Sequence, residues 1–252
     1  MSDKANTTAA YKGITTFVCP SDPVGSHTPT RPWGNNSYPA NVGVRQGSMG
    51  TWAHSRLRPE SFPGITQSVT QIGWGQKCMT MSDIIDGSSN TVAFAEWRKG
   101  DGSDNQRPDR PNGAIWNINI PVDLWGVGAQ GLSDWKQLED ACNGDHPNQA
   151  SVGPSLKNGF WPWQGYRWSY AYNFVGESSG YTHDAKPNKN SCCWGCWWDT
   201  KTFPTASSYH PGGVNILMVD GAVRSINDSI DRNVWKALGS INGGEELSGD
   251  QF

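Results

Sequence analysis

Charge is scarce in this chain, and what there is has no pattern. Only 17% of the 252 residues are Asp, Glu, Lys or Arg, the formal net charge is −3, and no Lys/Arg cluster interleaves with the aromatic residues. The basic footprint of a nucleic-acid binder is missing, which argues against that class of partner. No apolar run approaches 18 residues, so the sequence contains no membrane span. The start MSDKANTTAAYKG lacks both the basic flank and the apolar core of a signal peptide. Also missing are a Gly-x-Ser-x-Gly elbow, a Walker loop, a dinucleotide fingerprint and His-Glu-x-x-His. Enzymes that work with two carboxylates have no short motif, however. Glu60, Asp83, Glu96, Asp123, Asp134 and Glu177 keep a glycoside-active enzyme as the alternative reading.

What the chain has in abundance is Gly (30), Pro (16) and Trp (14). Few long helices can be written with that alphabet, and the expectation is an α+β fold held by aromatic packing: an antiparallel sheet, short helices and long Trp/Gly/Pro-rich loops. One globular domain over 1–252 is expected, with 98–205 as a loop-rich insertion. Six cysteines in a chain poor in Lys and Glu point to an extracellular or cell-surface location and to disulfides, and the chain reads as the trimmed part of a longer precursor. Cys19, Cys78, Cys142, Cys192, Cys193 and Cys196 allow 15 connectivities, with adjacent Cys192 and Cys193 bonding to different partners. A zinc knuckle needs two spaced pairs, and only one Cys-x-x-C exists. A catalytic pairing of a cysteine with His183 or His210 has no recognised nucleophile signature around any of the six cysteines.

Local patterns place several elements. GITTFVCPSDP (13–23) reads as a short strand broken by a turn. In MTMSDIIDGSSNTVAFAEW, Ser82 caps a helical turn, Asp86-Gly87 ends it, and TVAFAEW alternates as a strand. VNILMV and AVRSI flank Asp220-Gly221, the dipeptide a tight hairpin favours. A last helix is expected over about 229–238, capped by Asp228 and stopped by Gly239, with Ile230, Val234, Trp235 and Leu238 inward.

Candidate site residues follow. His210 and Asp220 are separated by nine residues, roughly 30 Å if the strand is fully extended, so they do not form a dyad. Asp86, Asn90, Glu96, His210 and Asp220 are instead expected to form a structural polar network that fastens loops to the sheet. Asp101, Asp104, Asn105 and Asp109 are spaced as oxygen ligands in a loop, a candidate calcium site without the EF-hand order. Two aromatic clusters are candidates for stacking on sugar faces: Trp161, Trp163, Tyr166 and Trp168 in the first, Trp194, Trp197 and Trp198 in the second. Against that stands their use as core where Leu and Ile are scarce.

Taken together, TTFVCPSDP, NVGV, SDIIDGSSNTVAFAEW and HPGGVNILMVDGAVRSINDSIDRNVWKALGS resemble the DUF1559 family of Planctomycetes and related bacteria. The C-terminal signature of that family, His, nine residues, then Asp-Gly, is matched by His210, Asp220 and Gly221. The resemblance implies a type IV pilin- or pseudopilin-like head, of the kind used in type II secretion, whose precursor would be anchored through an N-terminal hydrophobic helix. It implies no reaction. The expected role is that of a non-enzymatic structural or adhesive subunit, with other pilin-like subunits, further copies of itself or extracellular polysaccharide as partners. A carbohydrate-binding protein is the alternative.

Overall fold

The computed structural model describes residues 6–27, 32–41, 43–44, 62–63, 80–100, 115–117, 142, 160–161, 164–168, 180–193 and 202–252; at 44, 62–63, 115–117, 160–161, 193 and 202–203 it describes the backbone alone. Two α-helices are described over their length, α1 (Thr7–Ala10) and α2 (Arg232–Gly239), and Cys142 is helical as well. The strands run β1 (Ala40–Asn41), β2 (Gly43–Val44), β3 (Phe62–Pro63), β4 (Val92–Ala95), β5 (Ile115–Asn117), β6 (Phe160–Trp161), β7 (Gly180–Tyr181), β8 (Ser191–Cys193), β9 (Thr202–Phe203), β10 (Gly213–Met218) and β11 (Val223–Asn227). The architecture is α+β. A five-stranded sheet in the order β11-β10-β4-β1-β7 is accompanied by a four-stranded sheet, β6-β5-β8-β9, and a β2-β3 pair.

The hairpin β10-β11 forms where the Asp220-Gly221 turn predicts it, with Gly213 opposite Asn227 and Leu217 opposite Val223. Gly221 has φ +90° and Asp220 Oδ1 accepts from Ala222 N at 2.9 Å, so the turn holds itself. Along β10 the alternation turns Val214, Ile216 and Met218 inward. They meet Val92, Ile226, Trp235 and Leu238 in one buried cluster. α2 thus covers one face of the sheet.

Five expectations are corrected. The five-stranded sheet is mixed, since β7 lies parallel to β1, a pairing that the long connection between them permits. Residues Thr15–Phe17 form a 3-10 turn in place of a strand, with Phe17 N donating to Ile14 O and Val18 N to Thr15 O; Pro20 and Pro23, which lack N–H donors, follow closely. The turn Met81–Asp83 is capped by Thr80, not Ser82, in a reciprocal capping box with Asp83. α2 begins after Asp231, whose carboxylate accepts from Asn233 N and Val234 N, because residues 228–230 are already taken up in a turn closed by Ile230 N to Asn227 O. Gly239 is the last residue of the helix, ahead of the C-cap Ser240, and a Cβ there would run into the His183 ring. Its role is close approach rather than a stop.

Candidate functional site

The open face of the five-stranded sheet comes first. Cross-strand partners share a face, and the register sets Val223 opposite Leu217, Leu217 opposite Phe94, and Phe94 opposite Ala40. An apolar row therefore crosses four strands on the face away from α2. Phe94 is 39% exposed and Val223 72%. Phe17 and Trp168 wall a groove of about 490 Å³ over this row, and Asn36, Tyr38, Glu96 and Asn215 also line it.

Backbone hydrogen bonds assemble a polar cluster beside that groove. Ser37 N donates to Phe17 O (2.7 Å) and Trp97 N to Ser37 O (3.0 Å), which hangs the Cys19 turn on the segment that follows β4 and carries Glu96. Ser207 N donates to Glu96 O (2.9 Å), bringing in the segment that leads to His210. Glu96 N in turn donates to Asn215 O (3.1 Å). The Glu96 carboxylate is locked from β10: Oε2 accepts from Asn215 N at 2.9 Å and Oε1 from Asn215 Nδ2 at 3.1 Å. His210 Nε2 lies 3.4 Å from Glu96 Oε1 and 3.9 Å from the sulfur of Cys19. Cys19 and Glu96 are buried, whereas 42% of the His210 side chain is exposed. The Tyr38 hydroxyl is pushed up to about 12, first by burial, then by the neighbouring Cys19 and Glu96 and its hydrogen bond to Cys19.

Of the expected polar network, Glu96 and His210 come together here. Asp86 and Asn90 stand elsewhere: Asn90 Nδ2 donates to Asp86 O, while the Asp86 carboxylate accepts from Ser240 Oγ (2.7 Å), Gly243 N (2.8 Å) and Gly244 N (2.9 Å). Asp220 serves its own hairpin turn. Cys19, counted among the disulfide candidates, is a free thiol. Cys142 and Cys192 are joined in a disulfide with their Cα atoms 6.0 Å apart. Cys78 and Cys196 lie outside the described residues and Cys193 is described by its backbone.

Among the aromatic candidates, Tyr166 is buried beneath the Arg167 guanidinium, and Trp168 walls the groove while its ring N–H donates to Lys12 O. Trp161 is described by its backbone. Trp163, Trp194, Trp197 and Trp198, and the candidate calcium ligands Asp101, Asp104, Asn105 and Asp109, lie outside the described residues. So do Glu60, Asp123, Asp134 and Glu177; Asp83 is used in its capping box.

A second histidine is buried for a different purpose. His183 Nδ1 donates to Trp235 O at 2.7 Å, so its Nε2 accepts from Tyr181 OH at 2.7 Å, and its ring stacks on Trp235 with centroids 4.0 Å apart. Burial lowers its pKa to about 3, against the weaker opposing effect of the Trp235 carbonyl. This imidazole is a neutral strut between β7 and α2.

The juxtaposition of Cys19, Tyr38, Glu96 and His210 was not legible in the sequence, because Cys19 and His210 are 191 positions apart and share no motif. No helix among the described residues is long and apolar enough to cross a membrane. Comparison with curated proteins and with solved structures returns no match. The family model described as protein of unknown function (DUF1559) matches residues 1–233, nearly the whole chain, and the chain belongs to that family.

Proposed function

We propose that this chain is the head of a non-enzymatic, surface-exposed subunit of the type IV pilin or pseudopilin kind, acting by assembly and contact, with the open face of the five-stranded sheet as its contact surface. The supporting observation is the row Val223, Leu217, Phe94 and Ala40, which lies side by side across four strands and leaves Phe94 and Val223 in water. Fully burying a side chain of this size is worth about 1.5–3 kcal/mol, so covering the row gives an assembly a driving force of a few kcal/mol. The occupant proposed is an apolar helix, the kind of segment that the family resemblance implies. A helix with its side chains is roughly 10–12 Å across and presents one apolar stripe, which suits a groove walled by Phe17 and Trp168.

The test is sedimentation velocity over a wide concentration range, with and without an apolar helical peptide, for the wild type and Val223→Asp. Self-association or peptide binding by the wild type, lost in a variant that melts at the same temperature, is the expected result. A wild type that stays monomeric and ignores the peptide sinks the reading. The alternative, sugar stacking at Trp168, predicts saturable glycan binding with quenched tryptophan emission in place of association.

A further inference from the structure

The cluster at the polar end of the groove goes beyond an assembly role and stands independently of it. Its three potential donor atoms are of three kinds, a thiol sulfur, an imidazole nitrogen and a carboxylate oxygen, and all lie within 4.8 Å of one another. They come from three separate parts of the chain: the turn after Phe17, the residue following β4, and the approach to β10. The same ring nitrogen, His210 Nε2, faces both Glu96 Oε1 and Cys19 Sγ. One N–H cannot serve two acceptors well. Nor does Glu96 stand behind the imidazole, at its other nitrogen, as the orienting carboxylate of a nucleophilic triad must. A cation placed between the three satisfies all of them at once.

The spacing can be checked against coordination chemistry. With bonds of about 2.3 Å to sulfur, 2.05 Å to nitrogen and 2.1 Å to oxygen, a tetrahedral zinc ion holds sulfur and nitrogen about 3.6 Å apart and nitrogen and oxygen about 3.4 Å apart. The observed separations are 3.9 and 3.4 Å. The third pair, Cys19 Sγ and the Glu96 carboxylate oxygen, lies within 4.8 Å and has to close to about 3.6 Å around the ion, so binding draws the Cys19 turn toward Glu96 as well as adjusting His210. Two of the three donors, Cys19 and Glu96, are buried, and Asn215 pins both carboxylate oxygens, the outer-shell support that orients metal ligands.

From this geometry we propose that Cys19 Sγ, Glu96 Oε1 and His210 Nε2 form a binding site for a divalent transition metal of the zinc class, with Asn215 as the positioning residue. A thiolate and an imidazole disfavour calcium and magnesium, which take oxygen donors. Three protein ligands leave a fourth position for water or for a donor atom of a bound molecule, and Tyr38 and Glu96 belong to both the cluster and the groove wall.

The probe is Co2+, added to metal-stripped protein protected from air, with Zn2+ competition and calorimetry for affinity. One equivalent of Co2+ should give sulfur-to-cobalt charge-transfer absorption that Zn2+ abolishes. Cys19→Ser should lose that absorption although Cys78, Cys193 and Cys196 remain, and Asn215→Ala should weaken Zn2+ binding about 10–100-fold. His210→Asn, at a half-exposed position, should weaken it at least as much and decides the matter if Cys19→Ser does not fold. Absence of the absorption in the wild type, or its persistence with unchanged affinity in folded Cys19→Ser or His210→Asn, overturns the proposal.

Discussion

Acid should weaken this protein through His183 before it reaches most carboxylates. The imidazole is fully buried, stacked on Trp235, and bonded through both nitrogens, donating to Trp235 O and accepting from Tyr181 OH. Burial takes its pKa from 6.5 to about 3. Above pH 6.5 the ring is neutral in folded and unfolded chains alike, and the group makes no pH-dependent contribution. Below 6.5 the unfolded chain takes up a proton that the folded one refuses until about pH 3, so stability falls as pH falls through that window. The loss is about 1.4 kcal/mol per pH unit, accumulating to about 2.7 kcal/mol at pH 4.5. The assay is urea unfolding of the wild type and His183→Asn at pH 7.5 and 4.5. The variant is expected to be less stable at pH 7.5, because it loses the stack and the Tyr181 partner, but its stability should decline less on acidification by about 2–3 kcal/mol. Groups common to both proteins cancel in that difference. Parallel pH dependences in the two proteins would refute the reasoning, since His183 would then titrate alike in the folded and unfolded states.

Three further substitutions test how the fold positions its sites. Asp86→Ala removes the acceptor for Ser240 Oγ, Gly243 N and Gly244 N and should cost about 2–3 kcal/mol, with faster amide exchange at Gly243 and Gly244; unchanged exchange would mean that the carboxylate does not tether the C-terminal segment. Gly213→Ala places a Cβ 2.2 Å from Ile226 O, a backbone atom of the paired strand, and should lower stability by about 2–3 kcal/mol or more, whereas an unaltered melting temperature would contradict the β10-β11 register. Asp231→Ala should cost about 1 kcal/mol through the lost α2 cap, and Asp228→Ala should leave the helix cap intact; the reverse order in thermal melts would return the cap to Asp228.

The family to which the chain belongs is one of unknown function, so the site had to be sought in the geometry. Two features stand next to each other on the sheet. The apolar row offers area for contact, and the Cys19, Glu96 and His210 cluster offers coordination. Glu96 links them, lining the groove with one side chain and holding the cluster to β10 through Asn215.

The elements legible in the sequence are those whose causes are local. Asp220-Gly221 between two apolar runs specifies a hairpin because the turn needs a positive φ that Gly221 supplies, and TVAFAEW specifies β4, although a register shift opposite Leu217 and Met218 breaks its alternation and leaves Val92, Ala93 and Ala95 buried with Phe94 exposed. The final helix was legible in its inward face, Trp235 and Leu238, though not in its cap, which the competing turn at 228–230 moved to Asp231. Glu96 and His210 stood out in the sequence as polar residues beside apolar runs, and the structure brings their side chains to 3.4 Å of each other. That Cys19 joins them, that β7 pairs parallel to β1, and that Phe94 and Val223 share one open face were decided only by the tertiary structure. Spacing along the chain encodes which neighbours a residue meets within a turn or a strand. Which distant segments meet is set by the packing of the whole sheet, which no single stretch of sequence contains.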